Sequence, residues 1–405
     1  MRNVYITSIK RTPIGKFLGG LSTLSPSQLG TLVVKDILNN STIDSSKIDE
    51  VIVGNVLASG HGQNIARQIA INSGLAPQIS AYTLNMICGS GLKAINQAYM
   101  NIAGGFSDIV LAGGVESMSK AAFVASGALR TGHKMGNITL LDTLIHDGLT
   151  DAFGNYHMGI TAENIAEQFK ISRLDQDDFA YNSQTKALAA QNNGHFTNEI
   201  VPVTIKQGKE EVQMLHDEYI NKGTTLEKLG TLKAAFSSTG SVTAGNASGL
   251  NDGAAMALLV AEDQLKAHNL IPMAKIIGIA QIGLDPAIMG MGPLESIKKL
   301  FSQPHINKNV PFNKVDLFEL NEAFSSQSLG VTRGLVKEYG VEIGELTSKV
   351  NISGGAIALG HPLGASGARV LTTLIYNLKR TNKKYGVASL CIGGGMGIAI
   401  LVERV

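Results

Sequence analysis

Asn85-Met86-Ile87-Cys88-Gly89-Ser90-Gly91 runs directly into Leu92-Lys93-Ala94-Ile95-Asn96-Gln97-Ala98-Tyr99, a turn of small residues feeding a helix. Leu92, Ile95, Tyr99 and Ile102 recur at helical spacing and give that helix one apolar face. Ile109-Val110-Leu111-Ala112 follows as a short aliphatic strand ending in Gly113-Gly114, and Val51-Ile52-Val53 precedes as another. Further upstream, Ser25-Pro26-Ser27-Gln28 supplies an N-cap, a proline at the first helical position and a glutamine at the third. Leu29, Leu32, Val33 and Ile37 then share a face. Strand and helix alternate, which predicts α/β layering.

From about Lys120 to Leu250 the texture changes: Gly, Asn and polar residues become denser and strands are scarce. Thr161–Phe169 and the stretch after the capping box Ser172-Arg173-Leu174-Asp175 read as helices. The α/β rhythm resumes near Ala254, through Lys275-Ile276-Ile277-Gly278, Val315-Asp316-Leu317-Phe318 and Val387–Leu390. We expect three parts: an N-terminal half over 1–119 completed by about 251–272, an inserted loop domain over 120–250, and a C-terminal half over 273–405. The halves look related, because Ile109–Gly114 and Val387–Gly394 share shape and spacing. A duplication is expected to place the two cysteine turns at equivalent strand ends facing one cleft, where open α/β sheets bind ligands.

Apolar residues at 44% and charged residues at 16% describe a folded globular chain with ample core. Net charge is +2 with both signs scattered, and tryptophan is absent, so no basic or stacking face recommends nucleic acid. The longest apolar stretch, about Val387–Val402, is interrupted by glycines and does not read as a membrane span. Met1-Arg2-Asn3-Val4-Tyr5-Ile6-Thr7 reads as a strand rather than a signal peptide. Two cysteines make no disulfide framework. These features predict a cytoplasmic enzyme.

Both cysteines lie where a reactive sulfur is useful. Cys88 precedes a helix, whose positive dipole end favours a thiolate. Cys391 leads into Ile392-Gly393-Gly394-Gly395-Met396-Gly397, where glycines let backbone N–H groups approach a small reacting group. His361 is held among small residues in Gly360-His361-Pro362, within Asn351–Arg369, and can accept a thiol proton. No paired Cys or His-Glu-x-x-His motif is present, so no metal is expected. The glycines at 393–397 lack dinucleotide-binding spacing.

Asn85–Gly91 with Cys88, Asn321-Glu322-Ala323-Phe324, Gly360-His361-Pro362 and Cys391–Gly395 together resemble the four motifs of the thiolases, in the family's order and over the whole chain. The resemblance implies two duplicated α/β halves in a five-layered αβαβα body carrying an inserted loop domain. It implies an acetyl-CoA acetyltransferase that condenses two acetyl-CoA to acetoacetyl-CoA by ping-pong chemistry, with coenzyme A as substrate and product and no other cofactor. Cys88 corresponds to the acylated nucleophile, activated by His361 and the helix N-terminus, and Cys391 to the second acid/base. His361 with a water on Asn321 corresponds to one oxyanion site, and the N–H groups of Cys88 and Gly393 to the other.

For coenzyme A, Thr243–Gly253 resembles the family's pantetheine loop, with Ala244 and Ser248 as contacts and Phe236 and Phe324 along the path. Asn155–Asn164 resembles the short-chain members, in which His157 and Met158 narrow the acyl pocket. Asn221 stands where many relatives carry an arginine against the nucleotide, so Lys222 or Lys228 is a candidate replacement charge. The family's broad-chain 3-ketoacyl-CoA thiolases are the alternative. The resemblance also implies a homo-oligomer, dimeric or tetrameric, with small acyl-CoA molecules as its partners and neither nucleic acid nor membrane.

Overall fold

The computed structural model describes residues 2–405. Nine strands build the body: β1 Val4–Arg11, β2 Glu50–Gly54, β3 Ser80–Leu84, β4 Ile109–Ser117, β5 Asn251–Ala261, β6 Ala274–Gly283, β7 Leu317–Leu320, β8 Tyr385–Ile392 and β9 Met396–Arg404. They form one sheet in the order β7-β8-β9-β6-β1-β5-β4-β2-β3, with Gly15–Lys16 paired beside β5. Eight helices matter here: α1 Pro26–Asn39, α2 Ile65–Asn72, α3 Ser90–Ala103, α4 Met158–Gln168, α5 Arg173–Asn192, α6 Gly292–Phe301, α7 Ser325–Tyr339 and α8 Leu363–Arg380. The two capping boxes form as their sequences predict, at Ser25/Gln28 and Ser172/Asp175. No described helix is long and apolar enough to cross a membrane.

The sheet contains its own repeat. In the first half β3-β2-β4 are parallel and β4-β5-β1 antiparallel; in the second, β7-β8 are parallel and β8-β9-β6 antiparallel. The counterpart of β3 shrinks to one parallel bridge, Phe318 to Val350. The halves join where β1 meets β6, at Tyr5–Lys275 and Ile6–Ala274.

Three apolar clusters define five layers. Leu29, Val33 and Ile69 of α1 and α2 pack on Val53, Leu111 and Leu258 of the first half-sheet. Leu92 and Ile95 of α3 meet Leu371 and Leu374 of α8 between the half-sheets. Ile297, Leu300, Val331 and Leu335 of α6 and α7 cover Phe318, Val387 and Leu401. Helix layers therefore lie outside and between the half-sheets, the expected αβαβα arrangement.

The repeat corrects the expectation about the cysteines. Cys88 lies in the turn between β3 and α3, whose counterpart is the turn between Val350 and α8, and that turn carries His361. Cys391 lies in β8, the counterpart of β4. Because α3 and α8 are equivalent and packed together, duplication sets the Cys88 turn beside the His361 turn rather than one cysteine opposite the other.

Between β4 and β5 the chain forms α4, α5, short helical turns and two small two-stranded sheets, Phe123–Ala125 with Leu140–Asp142 and Val203–Gln207 with Glu210–Met214. Arg11 of β1, fully buried, ties this region to the body. Its Nε donates to Glu199 at 2.6 Å, and Nη1 and Nη2 donate to Asp217 at 2.7 and 2.9 Å.

Candidate active site

The Cys88 turn is strained and tightly held. Ile87 adopts a left-handed φ of +46°, rare for a β-branched residue. The Ile87 N–H donates to Asn85 Oδ1 at 2.9 Å, the Met86 N–H donates to Ser90 Oγ at 2.8 Å, and Ser90 Oγ donates to the Ile87 carbonyl at 2.7 Å. A side chain at Gly89 would strike Ile392 beside Cys391.

Cys88 is 8% exposed. Burial pushes its thiol up to about 11, against hydrogen bonds from the backbone of Gly393 and of Cys88 itself and with a small upward push from Glu116. A helix dipole acting alone would lower it. The sulfur instead sits in a short 3-10 turn, Ile87–Gly89, ahead of the first residue of α3, and desolvation outweighs the donors aimed at it. Cys391 is fully buried and its thiol is also driven up, first by burial and then by the nearby Cys88.

His361 is fixed at both ends. Its backbone N–H donates to Asn251 Oδ1 at 2.9 Å, and its Nδ1 lies 2.6 Å from Ser366 Oγ. Gly360, at φ +105°, has no room for a side chain against Asn251. Nε2 is buried and has no partner among the described residues. Burial, and then the charge of Arg369, hold the imidazole down to about 3, so it is neutral. Behind it, Glu116 accepts hydrogen bonds from Asn55 Nδ2 (2.8 Å) and the N–H groups of Val56 (3.1 Å), Leu57 (3.2 Å) and Gly364 (2.9 Å). This clamps the start of α8 to the end of β2, while burial pushes the Glu116 carboxyl up to about 7.

One cavity of about 370 Å³ gathers Cys88, His361, Gly393, His157, Met158, Phe236, Ala244, Ser248 and Phe324. Its walls are largely apolar. The His157 ring stacks on Phe236 at 4.6 Å, and Phe236 meets Phe324 edge-on at 6.2 Å. The His157 Nδ1 accepts the Gly159 N–H at 3.0 Å, so it caps α4 as well as lining the wall. The 243–251 loop is strapped to the Asn321–Phe324 segment: the Ser248 N–H donates to the Ala323 carbonyl at 2.9 Å, and Ala247 bridges Phe324. Cys391 packs just behind this wall with Met158, Met289 and Phe324.

Besides Cys391 behind its wall, two predicted residues lie outside the cavity. Asn321 is fully buried at the end of β7, and both polar atoms of its side chain lack a partner among the described residues. Lys228 lines an adjoining cleft of about 390 Å³ with Asn221, Gly223 and Thr224, and the two spaces share Tyr219 and Ala244. Its Nζ donates to the Gly223 carbonyl at 2.8 Å. A larger cavity of about 640 Å³ beside α5 contains Glu322 but neither cysteine nor His361.

The sequence reading missed Ser366, Asn251, Glu116, Met118 and Met289. Ser366 lies five residues after His361 and was within reach, since a first-turn serine is a ready hydrogen-bond partner. Met118 and Met289 carry no signal beyond their apolar character. Among the described residues, no group of three His, Cys, Asp or Glu side chains is arranged to hold a metal ion.

A buried thiol, a neutral imidazole and backbone N–H donors on the wall of one apolar cavity are equipped for acyl transfer through a thioester. The chain belongs to the thiolase family. The family model for the thiolase N-terminal domain matches residues 4–263, and that for the C-terminal domain matches residues 270–404. It is therefore a thiolase-family acyl-CoA acyltransferase. It is 49% identical to a probable acetyl-CoA acyltransferase of Staphylococcus epidermidis over 100% of this chain and 99% of that one. The identity to the protein of the same description from Staphylococcus aureus is 47%, over the whole of both chains. The crystal structure of the Bacillus anthracis acetyl-CoA acetyltransferase matches with a TM-score of 0.93 at 40% identity, and that of human mitochondrial 3-ketoacyl-CoA thiolase with 0.93 at 38%. Each covers 100% of this chain and 99% of the other.

Proposed function

We propose that the protein is an acetyl-CoA C-acetyltransferase, joining two acetyl-CoA into acetoacetyl-CoA and coenzyme A through an acetylated Cys88. The observation that carries the reading is the arrangement around that sulfur: a buried thiol whose charged form is favoured by the backbone N–H groups of Gly393 and Cys88, with a neutral His361 on the same cavity wall.

In the first half-reaction the Cys88 proton passes to His361 Nε2 and the thiolate attacks the acetyl carbonyl. The N–H groups of Cys88 and Gly393 hold the tetrahedral oxygen. The carbon–sulfur bond to coenzyme A then breaks, and its thiolate takes the proton back from His361. In the second half-reaction Cys391, its own proton lent to His361, removes an α-proton from the second acetyl-CoA. The imidazolium and a water held by Asn321 stabilise the enolate oxygen, and the orphaned polar atoms of Asn321 support that assignment. The enolate carbon attacks the acetyl carbonyl, the bond to the Cys88 sulfur breaks, and the proton on His361 returns to that sulfur.

Met158, Met289 and the His157–Phe236 stack leave an apolar space suited to a short acyl group. Intact-mass measurement after exposure to acetyl-CoA tests the scheme. Wild type and Cys391→Ala should carry one acetyl group and Cys88→Ala none; an adduct on Cys88→Ala, or none on wild type, overturns it. Equal thiolysis of acetoacetyl-CoA and a sixteen-carbon 3-ketoacyl-CoA would instead assign a broad-chain thiolase.

A further inference from the structure

Ser366 sits in the first turn of α8, fully buried, and no step of the reaction above uses it. Its hydroxyl has a single proton. That proton is donated to the Pro362 carbonyl at 2.8 Å, the usual contact of a helical serine with the carbonyl four residues back. Toward His361 Nδ1, 2.6 Å away, the same oxygen can offer only a lone pair. With the hydroxyl proton directed to the Pro362 carbonyl, which can only accept, Nδ1 is the ring nitrogen that bears hydrogen. In a neutral imidazole this leaves Nε2 with its lone pair, and Nε2 is the buried atom without a partner on the ring that shares a cavity with Cys88.

We propose that Ser366 is a positioning residue that holds His361 in the Nδ1–H tautomer, so that Nε2 is the proton acceptor facing the reacting sulfur. The consequence for catalysis rests on the thiolase reading; the tautomer itself does not. Tautomer choice matters here because burial keeps the ring neutral, and a neutral ring with its hydrogen on Nε2 cannot take the Cys88 proton from that side. Ser366 also works with a second anchor. Asn251 holds the backbone of His361 from β5, so the ring is oriented from two different elements.

Ser366→Ala removes the acceptor that the Nδ1 hydrogen has among the described residues and is small enough to keep the fold. The rate of Cys88 acetylation by acetyl-CoA should fall at least tenfold, while coenzyme A affinity and the melting temperature stay close to wild type. Nitrogen-15 NMR of side-chain-labelled histidine, with the His361 signal identified by its loss in His361→Ala, should show the Nδ1–H form in wild type and a mixture or the Nε2–H form in Ser366→Ala. The proposal fails if wild type holds the Nε2–H form, or if Ser366→Ala acetylates at the wild-type rate. It also fails if the rate drops only in proportion to lost coenzyme A binding. If wild type is never acetylated, the reaction assignment fails, and the NMR result still decides the role of Ser366.

Discussion

Replacing Gly114 by alanine should disable the enzyme while leaving most of its fold in place. Gly114 lies on β4 where the N-terminal ends of α3 and α8 converge. A β-carbon there would stand 1.9 Å from the Gly364 carbonyl oxygen and 2.8 Å from the Gly91 Cα. Ordinary contact begins near 3.4 Å, so the α8 backbone must retreat by about 1.5 Å. Both obstacles are main chain, which has no rotamer to yield. The same retreat pulls the Gly364 N–H from Glu116 and shifts the turn holding His361, three residues earlier. Overpacking of this kind costs about 1–3 kcal/mol, and backbone obstacles argue for the upper end. A 1 Å misplacement of a catalytic group costs on the order of a hundredfold in rate. Thiolysis of acetoacetyl-CoA read alongside thermal melting measures both. Gly344→Ala is the control: it faces open space in a short helix and should be neutral or up to about 1 kcal/mol stabilising. A Gly114→Ala protein with kcat within threefold of wild type and an unchanged melting temperature would refute the packing argument.

Three further outcomes follow from other parts of the molecule. With the Cys88 thiol raised to about 11, the thiolate is only about one part in a thousand at pH 8, so alkylation of the free enzyme by iodoacetamide should rise about tenfold per pH unit from 7 to 10. A flat profile across that range would mean a thiolate–imidazolium pair at rest. Lys228→Ala should weaken coenzyme A binding severalfold at low salt and less at high salt if Lys228 meets a phosphate of the nucleotide; unchanged affinity removes Lys228 from the site. Arg11→Met leaves the buried carboxylates of Glu199 and Asp217 without their cation and should destabilise the protein by about 3–5 kcal/mol in urea. A loss below about 1 kcal/mol would show that the carboxylates simply take up protons.

The α/β body was legible because its signals are local. The capping boxes, the apolar face of α3 and the strands ending in glycine each lie within a dozen residues. Motif resemblance singled out Cys88, His361 and Gly393, and one cavity gathers them from turns far apart in sequence. What failed to show was whatever depends on packing between distant segments. The thiol of Cys88 looked activated by its helix, but its proton affinity is set by burial under side chains from both halves. The register of the duplication was hidden because the strand before α8 has dwindled to a single bridge, which removes the landmark that would have paired His361 with Cys88. Asn251 supports His361 across 110 residues, and no local pattern announces such a contact.

The seam between the half-sheets is only two residue pairs long, at Tyr5–Lys275 and Ile6–Ala274, whereas each half-sheet is laced along the full length of its strands. Cys88 is carried by one half, and His361 and Cys391 by the other. With so short a seam, the halves depend on the α3–α8 packing and the Glu116 clamp. Loosening those contacts would change the separation of Cys88 from His361 while hardly altering any helix or strand. Activity is thus a finer gauge of how the halves dock than circular dichroism, and mild denaturant should silence the enzyme before its secondary structure melts.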